Sequence, residues 1–175
     1  MKQRFALAIL VSLVSATSAV RAGDAVRAKE LMTLMRADEV VAGAMKSSLR
    51  SKQSGLGLSD AQIACLNAVP HSEFSDVVTK ALADGLGDAE LADAIAFYRS
   101  PAGIRYVKSL VALMQGTRPA EPLGDDDAAR VRGFADSALG NKLLKQALIP
   151  NSNVVADKMA EVSANAIENC EGPKK

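Results

Sequence analysis

The segment Phe97-Tyr98-Arg99-Ser100-Pro101-Ala102-Gly103 separates two stretches with the apolar spacing of amphipathic helices. On both sides, apolar residues recur three or four positions apart, which lines one face of a helix. They are Leu91, Ala94, Ile95 and Tyr98 before the segment, and Ile104, Val107, Leu110, Val111 and Met114 after it. A serine hydroxyl can accept an N–H of the first helical turn, and proline at the first position loses no hydrogen bond. The segment therefore predicts that one helix ends near Arg99 and another begins at Pro101.

The same pattern, F-x-x-S-x-x-G, recurs 37 residues later without the proline. The matched residues are Phe97 and Phe134, Ser100 and Ser137, and Gly103 and Gly140. Two copies are too few for a solenoid, which needs about three repeats to bury a continuous core. We interpret them as a duplicated helix–cap–helix unit, with copies at about 88–114 and 125–149.

A capped helix corner is the simplest interpretation of each copy, and a binding site at the corner is the alternative. The candidate interaction residues at the first corner are Phe97, Tyr98, Arg99, Ser100, Pro101 and Gly103.

The stretch AFYRSPAGIRYVKSL at 96–110 resembles the domain of unknown function 2059 (DUF2059) family. These are exported proteins of Gram-negative bacteria marked by the segment F-Y-x-S-P-x-G, which residues 97–103 fit at every specified position. The resemblance implies an all-α fold and a periplasmic location. It implies no reaction, because none is established for the family as a whole.

The first 22 residues have the three parts of a secretory signal peptide. Met1–Arg4 is positively charged, Phe5–Val14 is apolar, and Ser15–Ala19 is small and polar. We expect cleavage after Ala22, with Ala19 as the alternative. A retained membrane anchor is the competing interpretation, but the uncharged stretch of 16 residues is shorter than the ~20 residues that a spanning helix needs.

Removal of residues 1–22 would leave 23–175, a length suited to one domain with its own core. This part carries 18 basic and 20 acidic residues, with no basic run except Lys174-Lys175 at its end. Such a charge distribution does not support nucleic-acid binding. No stretch shows sustained strand alternation, so we expect a single compact all-α domain of several helices.

Local signals place several helix ends. We expect a break near Ala37, with Asp38 as the cap of the second helix. Ser59–Gln62 reads as a capping box, in which the serine and glutamine side chains satisfy each other's backbone N–H groups. Asp125–Asp127 suit the start of a helix because carboxylates complement its dipole. A last helix is expected at about Asn153–Asn169.

Cys65 and Cys170 are the two cysteines of the chain. In an exported protein an even cysteine count favours a disulfide, which would connect the third and final helices. Two separate thiols are the alternative. The single histidine, His71, follows a proline and is expected to be an exposed loop residue. We assign no catalytic, cofactor-binding or metal-binding residue.

Three functions are compatible with this pattern. The leading hypothesis is a non-catalytic periplasmic protein that binds another protein of the cell envelope and has no transmembrane span after signal cleavage. The alternative is a carrier of a small apolar ligand such as a lipid, because helices rich in alanine, leucine, valine and methionine can enclose an apolar cavity. An enzyme of unrecognised type is third. Periodicity does not distinguish a cavity from a filled core.

Overall fold

The described part of the chain is helical throughout. The structure, a computed structural model, describes the backbone of residues 16–170 and the side chains of 24–48 and 57–170. No strand occurs among these residues, which confirms the all-α fold. The expected signal peptide lies mainly on residues 1–15, outside the described residues, and the first described helix begins at Ala16. Within the described residues, no helix has the length and apolar character needed to cross a membrane.

Nine helices are described. They are α1 (Ala16–Met35), α2 (Ala37–Leu56), α3 (Asp60–Ala68), α4 (Ser75–Gly85), α5 (Asp88–Arg99), α6 (Pro101–Met114), α7 (Asp125–Asp136), α8 (Ala138–Gly140) and α9 (Asn153–Cys170). A 3₁₀ turn (His71–Phe74) precedes α4, and a π-helical turn (Asn141–Lys145) continues α8.

The core forms where α1 packs against α4 and α5. Leu31 of α1, Leu82 of α4 and Leu91 of α5 are fully buried there, together with Phe74 of the 3₁₀ turn. Burial of a leucine or phenylalanine side chain contributes about 1.5–3 kcal/mol, so each of these residues makes a large favourable contribution to folding. Around this centre, α2 and α6 cover one side and α9 packs on α3 and α4.

The break between α1 and α2 is where the sequence predicts it, but its cap is different. Arg36 separates the two helices with a left-handed backbone (φ 48°) and no side-chain cap. Asp38, expected to be the cap, lies inside the first turn of α2 and is buried. The expected role of Asp38 is therefore wrong, because a left-handed residue turns the chain and the carboxylate bonds elsewhere.

Two other local predictions are confirmed. Ser59 Oγ accepts a hydrogen bond from the Gln62 N–H (3.3 Å), and Gln62 Oε1 accepts one from the Ser59 N–H (2.8 Å), which completes the capping box of α3. The last helix, Asn153–Cys170, ends one residue beyond its expected end.

Cys65 of α3 and Cys170 of α9 are joined as a disulfide pair. Their Cα atoms are 6.2 Å apart, within the usual range for a disulfide. The pair attaches the last helix to α3, the helix against which it also packs.

Candidate functional site

The two F-x-x-S-x-x-G segments form corners with the same cap. Ser100 Oγ accepts a hydrogen bond from the Gly103 N–H at 3.1 Å, and Ser137 Oγ accepts one from the Gly140 N–H at 3.0 Å. Pro101 occupies the first position of α6. Each serine therefore satisfies an N–H of the helix that follows it.

The glycine of each corner permits a close approach of two backbones. A Cβ on Gly103 would overlap the carbonyl oxygen of Phe97, and a Cβ on Gly140 would overlap the carbonyl oxygen of Phe134. Both glycines are buried. A larger residue at either position would force the incoming and outgoing helices apart.

The phenylalanines of the two corners stack on each other. The ring centroids of Phe97 and Phe134 are 3.7 Å apart and the rings are nearly parallel, with an angle of 3° between planes. The Tyr98 ring packs edge-on against both, with centroid distances of 5.1 Å to Phe97 and 5.8 Å to Phe134. The aromatic side chains thus connect one corner to the other.

Little of the first corner remains at the surface. Tyr98 is 2% exposed, Ala102 and Gly103 are buried, and Phe97 and Ser100 are half-buried. Arg99 and Pro101 are exposed, and the Arg99 guanidinium lies 2.5 Å from the Glu30 carboxylate of α1.

An apolar cavity of about 320 Å³ lies behind the corner. Its walls include Val41 and Ala44 on α2, Val107 and Leu110 on α6, and Val155 and Met159 on α9. Leu143 and Leu144 of the π-helical turn close it from another side. No charged side chain lines it among the described residues. Its volume is at the lower end of the range found for small-molecule sites.

Two tyrosines supply the polar side-chain groups of the cavity. Tyr98 reaches it from α5 and Tyr106 from α6. Burial raises the pKa of Tyr98 well above its ordinary value, and the neighbouring Tyr106 adds to the rise. Burial also raises the pKa of Tyr106. Tyrosine hydroxyls are protonated at neutral pH even at their ordinary pKa, and these upward shifts keep both groups protonated, so both can donate a hydrogen bond.

Unusual backbone geometry borders this cavity. Among the described residues other than glycine, positive φ occurs at Arg36 (48°) and Ala147 (50°). Ala147 lines the cavity directly, and the two neighbours of Arg36, Met35 and Ala37, do so as well. Left-handed geometry is unfavourable for residues with a Cβ, and such conformations cluster at binding and switch regions.

Ion pairs hold the wall formed by the π-helical turn. Lys142 Nζ lies 2.9 Å from Glu90 Oε2, and Lys145 Nζ lies 2.8 Å from Asp136 Oδ1. The Glu90 carboxylate also accepts the Gly87 N–H at 2.8 Å. The backbone N–H of Gly87, followed by Lys142, holds the pKa of Glu90 below its ordinary value.

His71 takes part in a polar cluster that the sequence does not reveal. Its Nδ1 lies 2.8 Å from Asp38 Oδ2, which also accepts a hydrogen bond from Ser75 Oγ at 3.0 Å. A catalytic relay needs the serine hydroxyl to donate to the histidine, whereas here both groups bond to the carboxylate. The cluster fastens the 3₁₀ turn to α2. His71 is exposed, as expected, but it lies in the 3₁₀ turn and not in a loop.

A metal centre is not indicated by the described side chains. No group of three or more histidine, cysteine, aspartate or glutamate residues is placed to hold an ion within the part of the chain that the structure describes.

Fold and site together define an all-α protein with two joined corners and an apolar cavity. Residues 72–121 match the model of the family described as "Uncharacterized protein conserved in bacteria (DUF2059)". The resemblance to this bacterial family is thereby confirmed over these residues, which extend from the 3₁₀ turn to the loop after α6. Neither the curated proteins nor the solved structures contain a match to the chain.

Proposed function

We propose that this protein is a non-catalytic binding protein of the bacterial cell envelope that carries a small apolar ligand in the cavity between α2, α6 and α9. The cavity of about 320 Å³ is the observation that carries the proposal. The cavity is partly open to solvent, since its lining includes the exposed Ala44 and Pro150, and apolar clefts of this size are typical of small-molecule sites.

The envelope location rests on two features of the chain. Residues 1–22 have the pattern of an export signal, and Cys65 and Cys170 are paired. Disulfides persist in oxidising compartments, of which the periplasm is one. A periplasmic carrier satisfies both observations.

The cavity favours the carrier over contact with another protein through the first corner. The aromatic rings that a partner would contact are directed towards each other and the interior. What remains exposed is Arg99, Pro101 and the 44% exposed Ile104, a small surface of which Arg99 is already paired with Glu30. This surface is small compared with the roughly 800 Å² that a stable protein interface buries on each partner, so the first corner is less suited to binding another protein.

Binding of the dye N-phenylnaphthylamine tests the proposal. This neutral aromatic amine fluoresces strongly in an apolar site and weakly in water. At about −0.4 kcal/mol per non-hydrogen atom, its dissociation constant is expected on the order of 10 μM, with saturation at one dye per chain. A fluorescence titration of the purified protein measures both.

Two leucines of α6 provide a matched pair of variants. Leu110 lines the cavity, whereas Leu113 is 65% exposed on the same helix and does not line it. We expect Leu110→Trp to fill the cavity and weaken dye binding at least tenfold, and Leu113→Trp to leave it unchanged. Absence of saturable binding to the unmodified protein, or equal loss in both variants, would contradict the proposal.

A further inference from the structure

Tyr98 is a buried polar residue without a protein partner. The residue is 2% exposed, and its hydroxyl makes no hydrogen bond to another described residue. The hydroxyl is not among the fully buried side-chain atoms without a partner, so it keeps some contact with the space of the cavity, where it can bond to water or to a ligand. Tyr98 lines the apolar cavity, so a bound molecule can supply the missing partner.

Tyr106 offers a second hydroxyl in the same cavity. It is half-buried on α6, it also lacks a hydrogen bond to another described residue, and it is near enough to influence the titration of Tyr98. Both groups are protonated at neutral pH, so the cavity presents two donors in an otherwise apolar lining. A carbonyl oxygen has two lone pairs and can accept from both.

From this arrangement we infer that the ligand is an uncharged apolar molecule with a carbonyl oxygen, which the hydroxyls of Tyr98 and Tyr106 recognise. This inference rests on the proposed function, since it names the class of ligand for the same cavity. Ketones, esters and quinones belong to this class. Tyr98 and Tyr106 are then the residues that determine specificity, and the aliphatic walls supply most of the affinity.

The lining also distinguishes a neutral ligand from an ionised one. Transfer of a carboxylate into an apolar site is strongly unfavourable unless a cation pairs with it. The described lining offers no lysine, arginine or histidine for that purpose. An ionised fatty acid is therefore expected to bind less well than a ketone or ester of similar size.

Three naphthalene derivatives substituted at the same ring position test the inference. Acetylnaphthalene and isopropylnaphthalene have nearly the same shape and differ in the carbonyl oxygen, and naphthoate carries a charge. Displacement of N-phenylnaphthylamine gives their relative affinities. We expect acetylnaphthalene to bind about tenfold more tightly than isopropylnaphthalene, the value of one net hydrogen bond, and naphthoate to bind more weakly than acetylnaphthalene.

The variant Tyr98→Phe/Tyr106→Phe keeps both rings and removes both hydroxyls. It is expected to lose the preference for the ketone, measured as the ratio of the affinities for acetylnaphthalene and isopropylnaphthalene within this variant. Equal binding of ketone and hydrocarbon by the unmodified protein, a preference that survives the double substitution, or tighter binding of naphthoate overturns the inference. The proposed function as a carrier would still hold in these cases, provided that the dye binds to the unmodified protein and Leu110→Trp prevents its binding. If the dye does not bind, both proposals fail.

Discussion

The disulfide between Cys65 and Cys170 is expected to be one of the largest single contributions to the stability of this fold. The cysteines are separated by 105 positions, so the bond closes a loop that spans most of the described chain. In the chain-entropy model a cross-link stabilises by restricting the unfolded state, and the effect grows with the logarithm of loop length. For a loop of this length the model gives about 4.7 kcal/mol as an upper value, and measured disulfides typically contribute about 2–4 kcal/mol.

The substitution Cys170→Ser removes the bond with little loss of packing, because Cys170 is only half-buried at the end of α9. A loss of 2–4.7 kcal/mol is a large part of the roughly 5–15 kcal/mol by which domains are stable. With a urea m-value of about 1.5–2 kcal/mol per molar, the unfolding midpoint falls by about 1–3 M.

Urea unfolding followed by circular dichroism measures this shift. A reducing agent should lower the midpoint of the unmodified protein to that of Cys170→Ser and should leave the variant unaffected. The double variant Cys65→Ser/Cys170→Ser should match the single one. If reduction leaves the midpoint of the unmodified protein in place, the reasoning is refuted.

Three further predictions concern the corners and the cavity walls. Gly103→Ala should cost about 1–3 kcal/mol in urea unfolding, because its Cβ overlaps a backbone carbonyl, whereas Gly133→Ala in the open middle of α7 should stabilise by up to about 1 kcal/mol. If the two alanine variants changed the free energy of unfolding equally, the close approach of Gly103 to the Phe97 carbonyl would be contradicted. Ala147→Gly should raise the free energy of unfolding by about 0.5 kcal/mol, because glycine adopts the left-handed backbone of this position without strain. This gain slightly exceeds the loss that comes from the greater freedom of glycine in the unfolded chain. A lower free energy of unfolding would show that Ala147 is not strained. The pKa of Glu90 is lowered in the folded state, so its contribution is complete above its ordinary pKa of 4.5 and is lost as the pH falls below it. Glu90→Gln should therefore flatten the fall in stability in acid, and an unchanged pH profile would show that the bonds of the carboxylate to the Gly87 N–H and to Lys142 do not contribute to stability.

Features that depend on neighbouring residues follow from the sequence. The capping box at Ser59–Gln62 is an example, because its partners are three positions apart and meet in any helix start. The spacing of apolar residues also placed Tyr98 on the inward face of α5, where the structure has it. The same residue was a candidate for surface contact, and burial makes that role less suitable than lining the cavity.

Features that depend on how the helices pack cannot be predicted from the sequence. The stacking of Phe97 on Phe134 requires the relative orientation of two units, which a spacing of 37 residues does not define. The sequence does not show that Arg36, and not Asp38, defines the start of α2, because a left-handed residue other than glycine has no sequence signature. The apolar cavity cannot be predicted from the sequence for a related reason. Periodicity indicates which residues face inwards, but it does not show whether the side chains of opposing helices fill the space between them.

The most direct test of the cavity as a ligand site is native mass spectrometry of the protein isolated without detergent from its native host. If the cavity is a ligand site, the unmodified protein and Leu113→Trp carry an added mass that Leu110→Trp lacks, and organic extraction identifies the added molecule as uncharged and apolar. An added mass that Leu110→Trp retains, or no apolar molecule in the extract of the unmodified protein, would contradict the assignment of this cavity as a ligand site.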